Sequence, residues 1–305
     1  MTDSTRAFRL EVEFDGTDFE GWQRQPPRPG EDAAPRTVQV ELERAVQKVT
    51  GGVGHALACG RTDRGVHARC MVVRLRADTT MSAHDLGRAL DAVLPDDIGL
   101  LRSADVGPDF HPVRDALWKW YRYTVLPARR QRPLHRRYAW RQALVPTMAG
   151  LEQAAEALLG THDFASFGNT GSPRDTTVRT LWVARWSAEG ELLHFDVVGD
   201  GFLYKMVRTL VGTQFQAARQ PDPGAEIARV LAARDRSLAG PAVPGHGLTL
   251  MHVHMAGDPV PAWAPPGVPV RVESELRQSQ APDAAAAATA AKTADGAGPS
   301  TGETS

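Results

Sequence analysis

Eight residues, Gly60-Arg61-Thr62-Asp63-Arg64-Gly65-Val66-His67, set one carboxylate between two arginines and two glycines. The stretch before them, His55 to Cys59, is small and apolar, and the stretch after, Arg69 to Arg76, alternates Met71, Val73 and Leu75 with Val72, Arg74 and Arg76. Period-two alternation bounded by glycines reads as a loop joining two strands, and a charged group at a strand end is a common place for chemistry. The same spacing also makes a plain turn, with Thr62 and Asp63 capping backbone amides. No second acid adjoins Asp63 and no histidine or cysteine shows metal-ligand spacing. Carboxylate-pair hydrolysis and metal-assisted hydrolysis are therefore disfavoured, and no metal or other cofactor is expected.

Two further stretches carry charge in a pattern. From Trp118 to Arg141 run Lys119, Arg122, Arg129, Arg130, Arg132, Arg136, Arg137 and Arg141 with no acid among them, interleaved with Trp118, Trp120, Tyr121, Tyr123, Tyr138 and Trp140. A basic stripe carrying flat rings suits phosphate neutralisation and base stacking. From about Phe202 to Arg219, Leu203, Met206, Val207 and Leu210 form one helical face, with Lys205 and Arg208 on the other. On pattern alone that second face is solvated.

The elements that must position these groups fall in order. Phe8 to Phe14 reads as a strand, Val38 to Val49 as a helix ended by Gly51-Gly52, and the Asp63 loop with its two strands follows. Ser82 and Asp85 form a capping box before a helix carrying Leu86, Ala89, Leu90 and Val93, and Ile98 to Val106 is a strand. The order is β-α-β-β-α-β. The second part repeats it: a strand at Ala116 to Leu126, a helix at Thr147 to Leu159, a hairpin of Thr177 to Trp186 and Glu191 to Val198, the Phe202 helix, a short helix at Ile227 to Arg234 and a strand at Gly247 to Met255. Two consecutive split-βαβ halves imply an α+β fold, with a joined antiparallel sheet, helices on one face and a central cleft.

The halves are expected at 6–110 and 111–256. Beyond them, 257–305 turns to Pro, Ala, Thr and Gly without periodicity, which reads as a disordered low-complexity tail. The net charge of -1 averages over unlike parts, since 257–305 alone holds six acids against three bases. The N-terminus has no apolar leader, no apolar run reaches the ~20 residues of a membrane span, and Cys59 and Cys70 show no zinc or redox spacing. A cytoplasmic protein with reduced thiols is expected.

The string Gly60-Arg61-Thr62-Asp63-x-Gly65-Val66-His67-Ala68 resembles the catalytic loop of the TruA-type tRNA pseudouridine synthases. The resemblance extends over most of residues 6 to 256: Phe14-Asp15-Gly16, Gly21-Trp22-Gln23-Arg24-Gln25, Thr37-Val38-Gln39, Tyr121-Arg122-Tyr123, Asp163-Phe164-Ala165-Ser166-Phe167, Gly199 to Arg208 and His246-Gly247-Leu248-Thr249-Leu250. Arg64 departs from it, standing where bacterial members have a small residue.

The resemblance implies isomerisation of uridine to pseudouridine in the anticodon stem-loop of tRNA, by a homodimer. It implies Asp63 as the reacting carboxylate, Arg208 as the group that faces it and holds it ionised, and Tyr121 stacking on the flipped uracil and able to handle the C5 proton. Substrate contacts are expected from Arg61, Thr62, Tyr121, Lys205, Arg129 and Arg130. His67 is expected to pack behind the loop and Thr62 to hydrogen-bond within it. A non-catalytic RNA-binding protein is the competing reading, since split-βαβ folds bind RNA through strand aromatics. The Asp63 loop with Arg208 discriminates, because a simple binder needs neither.

Overall fold

The computed structural model describes residues 5–30, 32–169 and 176–269. In β1 (Thr5–Phe14) alternation buries Phe8, Leu10, Val12 and Phe14. α1 (Val38–Thr50) buries Val38, Leu42, Ala45 and Val46 and ends at Gly51, whose φ of 74° is a left-handed cap. β2 (His55–Ala58) and β3 (His67–Asp78) flank the Asp63 loop. α2 (Ala83–Asp91) opens on the expected box: the Ser82 hydroxyl accepts from the Asp85 N–H at 3.1 Å and donates to the Asp85 carboxylate at 2.7 Å. β4 (Ile98–Val106) follows.

The second part comprises β5 (Ala116–Pro127), β6 (Trp140–Gln142), α3 (Met148–Glu156), β7 (Gly160–Asp163), β8 (Val178–Glu189), β9 (Leu192–Gly199), α4 (Met206–Ala217), α5 (Pro223–Ala233) and β10 (Leu248–Met255). Three expectations are corrected here. β6 and β7 were not foreseen, being too short to show a period. The β8–β9 turn is tighter than read, because Glu189 still pairs with Leu192 and only Gly190 and Glu191 lie between. Helix α4 starts four residues late: Lys205 has a left-handed φ of 60°, so it precedes the helix rather than lying on its polar face.

The strands form an α+β fold with one mixed, mostly antiparallel open sheet in the order β4-β1-β3-β10-β5-β9-β8-β7, with β2 on β3 and β6 on β5. β10 is parallel to β3 and antiparallel to β5. Leu250 is registered with Ala68 on one side and Tyr121 on the other. Two strand spacings, about 9.5 Å, therefore separate the backbone just after the Asp63 loop from that of Tyr121.

One apolar cluster joins α1 and α2 to β1 and β3 through Leu10, Leu42, Leu75 and Leu90. A second joins α3, α4 and α5 to β5, β8 and β9 through Leu151, Leu210, Ile227 and Phe195. Tyr121 packs partly against both, so it sits at their seam.

Side-chain alternation in β5 sends Trp118, Trp120 and Arg122 to the face opposite Tyr121 and Tyr123. Trp118, Trp120 and Tyr123 are all buried, so these rings of the basic stripe belong to the core. Part of the region expected as tail covers that opposite face. The Asp258 carboxylate takes two bonds from Arg9 at 2.8 and 2.6 Å, and the Trp263 ring lies 5.1 Å from Trp120 with the Arg69 guanidinium 4.2 Å above it. The rest of that region, 270–305, lies outside the described residues. Among the described residues no helix is long and apolar enough to cross a membrane, and no group of three or more His, Cys, Asp or Glu is placed to hold a metal.

Candidate active site

The Asp63 loop is anchored from below by backbone. The Trp22 N–H donates to the Thr62 carbonyl at 3.1 Å, the Gly65 N–H to the Phe19 carbonyl at 3.3 Å, and the Val66 N–H to the Asp63 carbonyl at 3.2 Å. Phe19 and Trp22 are buried, which explains why a polar stretch after β1 contains them. Gly21 fits only as glycine: its φ is 93°, and a Cβ there would come within 2.5 Å of the Thr62 carbonyl oxygen. Gly21→Ala should therefore displace the loop, and about 1 Å of displacement costs on the order of 100-fold in rate. A single-turnover assay on tRNA, with circular dichroism confirming a folded chain, checks it; a wild-type rate would mean that the loop tolerates the shift.

His67 fixes the far end of the loop. It is buried; its Nδ1 accepts from the Gly16 N–H at 3.0 Å, and its Nε2 lies 2.8 Å from the Arg137 carbonyl and 3.2 Å from that of His246. Nδ1 also lies 3.1 Å from the Asp15 carboxylate, so the ring is held on both sides. Asp15, which sequence reasoning had quoted in a motif without giving it a role, holds the same junction. Its carboxylate accepts from the Thr17 hydroxyl at 2.6 Å, the Tyr138 hydroxyl at 2.9 Å and Arg137 at 3.1 Å. Burial alone would raise its pKa, but the bonds from Thr17, Tyr138 and Arg137 outweigh that and bring it to about 2. Asp15 thus stays charged and ties the basic segment to the loop.

Above the loop, Asp63 meets Arg208 from the first turn of α4. The Arg208 guanidinium donates to the Asp63 carboxylate at 2.7 Å and its Nε donates to the Val243 carbonyl at 2.6 Å, with 13% and 14% of the acid and arginine side chains exposed. The pair is nearly dry yet open at one side. It lies in a cleft of about 1290 Å³, lined also by Arg61, Thr62, Lys119, Tyr121, Lys205 and Arg137. That exceeds the roughly 300–1,000 Å³ of small-molecule sites and suits a macromolecular segment.

Of the residues expected at the site, Asp63, Tyr121, Arg208, Arg61, Thr62 and Lys205 all line this one cleft. Tyr121 is held edge-on against Phe202 with ring centres 5.1 Å apart. Arg61 is exposed and makes no hydrogen bond or ion pair among the described residues, so its charge is available to substrate. Lys205 lies 4.9 Å from the Tyr204 ring. In Thr62 the carbonyl makes the loop bond, whereas the hydroxyl is buried without a partner. Arg64 points to Glu20, at 3.2 Å.

Arg129 and Arg130 are exposed and lie outside the cleft walls. The basic stripe is also less bare in space than in sequence. Arg122 forks onto Asp196, Arg132 meets Glu191 at 2.6 Å and Arg137 meets Asp15. Lys119 donates to the Cys59 carbonyl at 2.7 Å. Lys119, Arg136, Arg137 and His246 line the cleft although none was singled out; the stripe and the His246-Gly247 string were the signals that contained them.

Comparison with known proteins agrees with this arrangement. A family model described as tRNA pseudouridine synthase matches residues 154–254. The tRNA pseudouridine synthase A of Moorella thermoacetica is 39% identical over 245 residues, covering 80% of this chain and 98% of the relative. That of Halalkalibacterium halodurans is 41% identical over 241 residues, covering 78% and 89%, and that of Pelobacter propionicus 36% identical over 248 residues, covering 81% and 99%. Likeness over nearly the full length of each relative is decisive: the chain belongs to the tRNA pseudouridine synthase A family.

Proposed function

We propose that this chain isomerises uridine to pseudouridine in the anticodon stem-loop of tRNA, with Asp63 as the reacting carboxylate. The observation that carries the reading is the Asp63–Arg208 pair, two charges from opposite halves of the chain meeting at 2.7 Å in a cleft too large for a small metabolite. In the reaction the N1–C1′ bond breaks, the uracil turns, and a C5–C1′ bond forms while the proton leaves C5 and N1 gains one. The change is redox-neutral.

A carboxylate at the sugar serves either as nucleophile, at C1′ or C6, or as the base that takes a ribose proton. Arg208 faces it in either role and orients it. Tyr121 at the seam stacks on the flipped base and takes the C5 proton. The cleft walls keep the detached uracil beside the sugar, which makes rejoining effectively intramolecular.

Arg61, Thr62 and Lys205 would contact the nucleotide and its neighbours. Arg129 and Arg130 would meet phosphates further along the RNA. The sheet is read as two split-βαβ halves, β1–β4 and β5–β10, joined along β3 and β10, and the enzyme as a cytoplasmic homodimer. Unmodified tRNA transcripts incubated with the protein should acquire pseudouridine at anticodon-stem uridines, mapped nucleotide by nucleotide. Absence of pseudouridine at every position would overturn the reading.

A further inference from the structure

A second cavity, of about 200 Å³, opens beside the cleft. Arg136 and His246 line both, so the two spaces adjoin. The remaining walls include Leu126, Trp140, Arg132 and Arg141. The Trp140 ring is fixed by contacts to Tyr123 and Phe215, at 6.1 and 5.1 Å. Arg141 donates to the Ala128 and Arg129 carbonyls, which hold it without neutralising it. Glu191 meets Arg132 at 2.6 Å and His135 at 3.1 Å. Arg136 is left: its guanidinium has no hydrogen bond or ion pair among the described residues. Burial pushes the pKa of His246 below the usual range.

The position of this cavity is set by the catalytic end of the molecule. Arg137 and Tyr138, next in the chain to Arg136, are fastened to Asp15 by side chain, and the Arg137 carbonyl to His67. The wall carrying Arg136 is thereby held in register with the loop carrying Asp63.

We infer that this cavity is a subsite for the nucleotide next to the reacting uridine, with Arg136 on its phosphodiester. The inference rests on the function proposed above. Turning one nucleotide out of a stem drags the sugar–phosphate on either side with it. A space smaller than the roughly 300 Å³ minimum of small-molecule sites holds one base or one ribose phosphate, not a separate ligand. A guanidinium with no acid against it matches a phosphate in charge and fork geometry.

The test uses tRNAs assembled from synthetic pieces, each with one uncharged methylphosphonate at a linkage within two nucleotides of the converted uridine. Wild-type protein should lose about tenfold in affinity at one such linkage. Arg136→Gln should lose about as much on unmodified tRNA, lower the salt slope by about one, and lose nothing further at that same linkage. Arg136→Lys, which keeps the charge, should restore the slope. Losses that multiply at every linkage, or a wild-type slope and affinity in Arg136→Gln, overturn the subsite while wild-type pseudouridine formation leaves the function standing. Wild-type protein that makes no pseudouridine overturns both.

Discussion

Asp63→Asn should reduce pseudouridine formation by at least about 10³-fold while leaving tRNA affinity within a few-fold of wild type. The amide occupies the same volume and can still accept from Arg208, so the loop, anchored on its backbone by Trp22 and Phe19 and on the His67 ring by Gly16, has no reason to move. What disappears is the negative charge that the proposed reaction places at the sugar, and the other carboxylate lining the cleft, Glu20, is engaged with Arg64. Affinity resides elsewhere, in the unpaired Arg61 and the basic walls, and removing an anion near phosphates does not weaken it. Single-turnover product formation and fluorescence anisotropy, measured on the same preparation, separate the two effects. A normal rate of product formation would remove Asp63 from the chemistry.

The parts of this site that were legible in sequence are those whose cause is local. Gly51 after an amphipathic run, Ser82 three residues before Asp85, and alternation around the Asp63 loop each act within a few residues, and each is found where expected. The meeting of Asp63 and Arg208 is not local: 145 residues separate them, and only the family resemblance pointed to it. The basic stripe was misjudged for the same reason. Its acids, Asp15, Glu191 and Asp196, arrive from other segments, so an acid-free window in sequence became a surface on which Arg122, Arg132 and Arg137 each meet an acid.

Two misreadings have their own physical reasons. In β5 aromatic residues occupy both faces of the strand, and with both faces covered, alternation no longer marks an exposed side; Trp118 and Trp120 went to the interior. Before α4, Leu203 and Met206 are both buried three residues apart, which imitates a helix. The left-handed Lys205 between them interrupts it, and nothing in the side-chain pattern announces a positive φ at a lysine.

Asp196→Ala should cost about 3–5 kcal/mol of stability, because it removes one member of a buried charged group and strands the others. Asp196 has no exposed surface; it accepts from the Trp120 indole N–H at 2.7 Å and from both prongs of Arg122 at 2.9 Å. Arg122 and Asp196 are direct partners across β5 and β9, so the group pins the strand that carries Tyr121. The pin and the chemistry are on opposite faces of β5, since Trp120 and Arg122 point away from the side on which Tyr121 lines the cleft. The loss should therefore appear in stability before it appears in catalysis. At about 2–4 °C per kcal/mol for a chain of this size, the midpoint should fall by roughly 6–20 °C. Well below that midpoint the single-turnover rate should stay within a few-fold of wild type. A midpoint unchanged within about 2 °C would show that desolvating the three groups cancels their attraction in the wild type. A large rate loss in a variant still folded would show instead that strand β5 transmits strain directly to Tyr121.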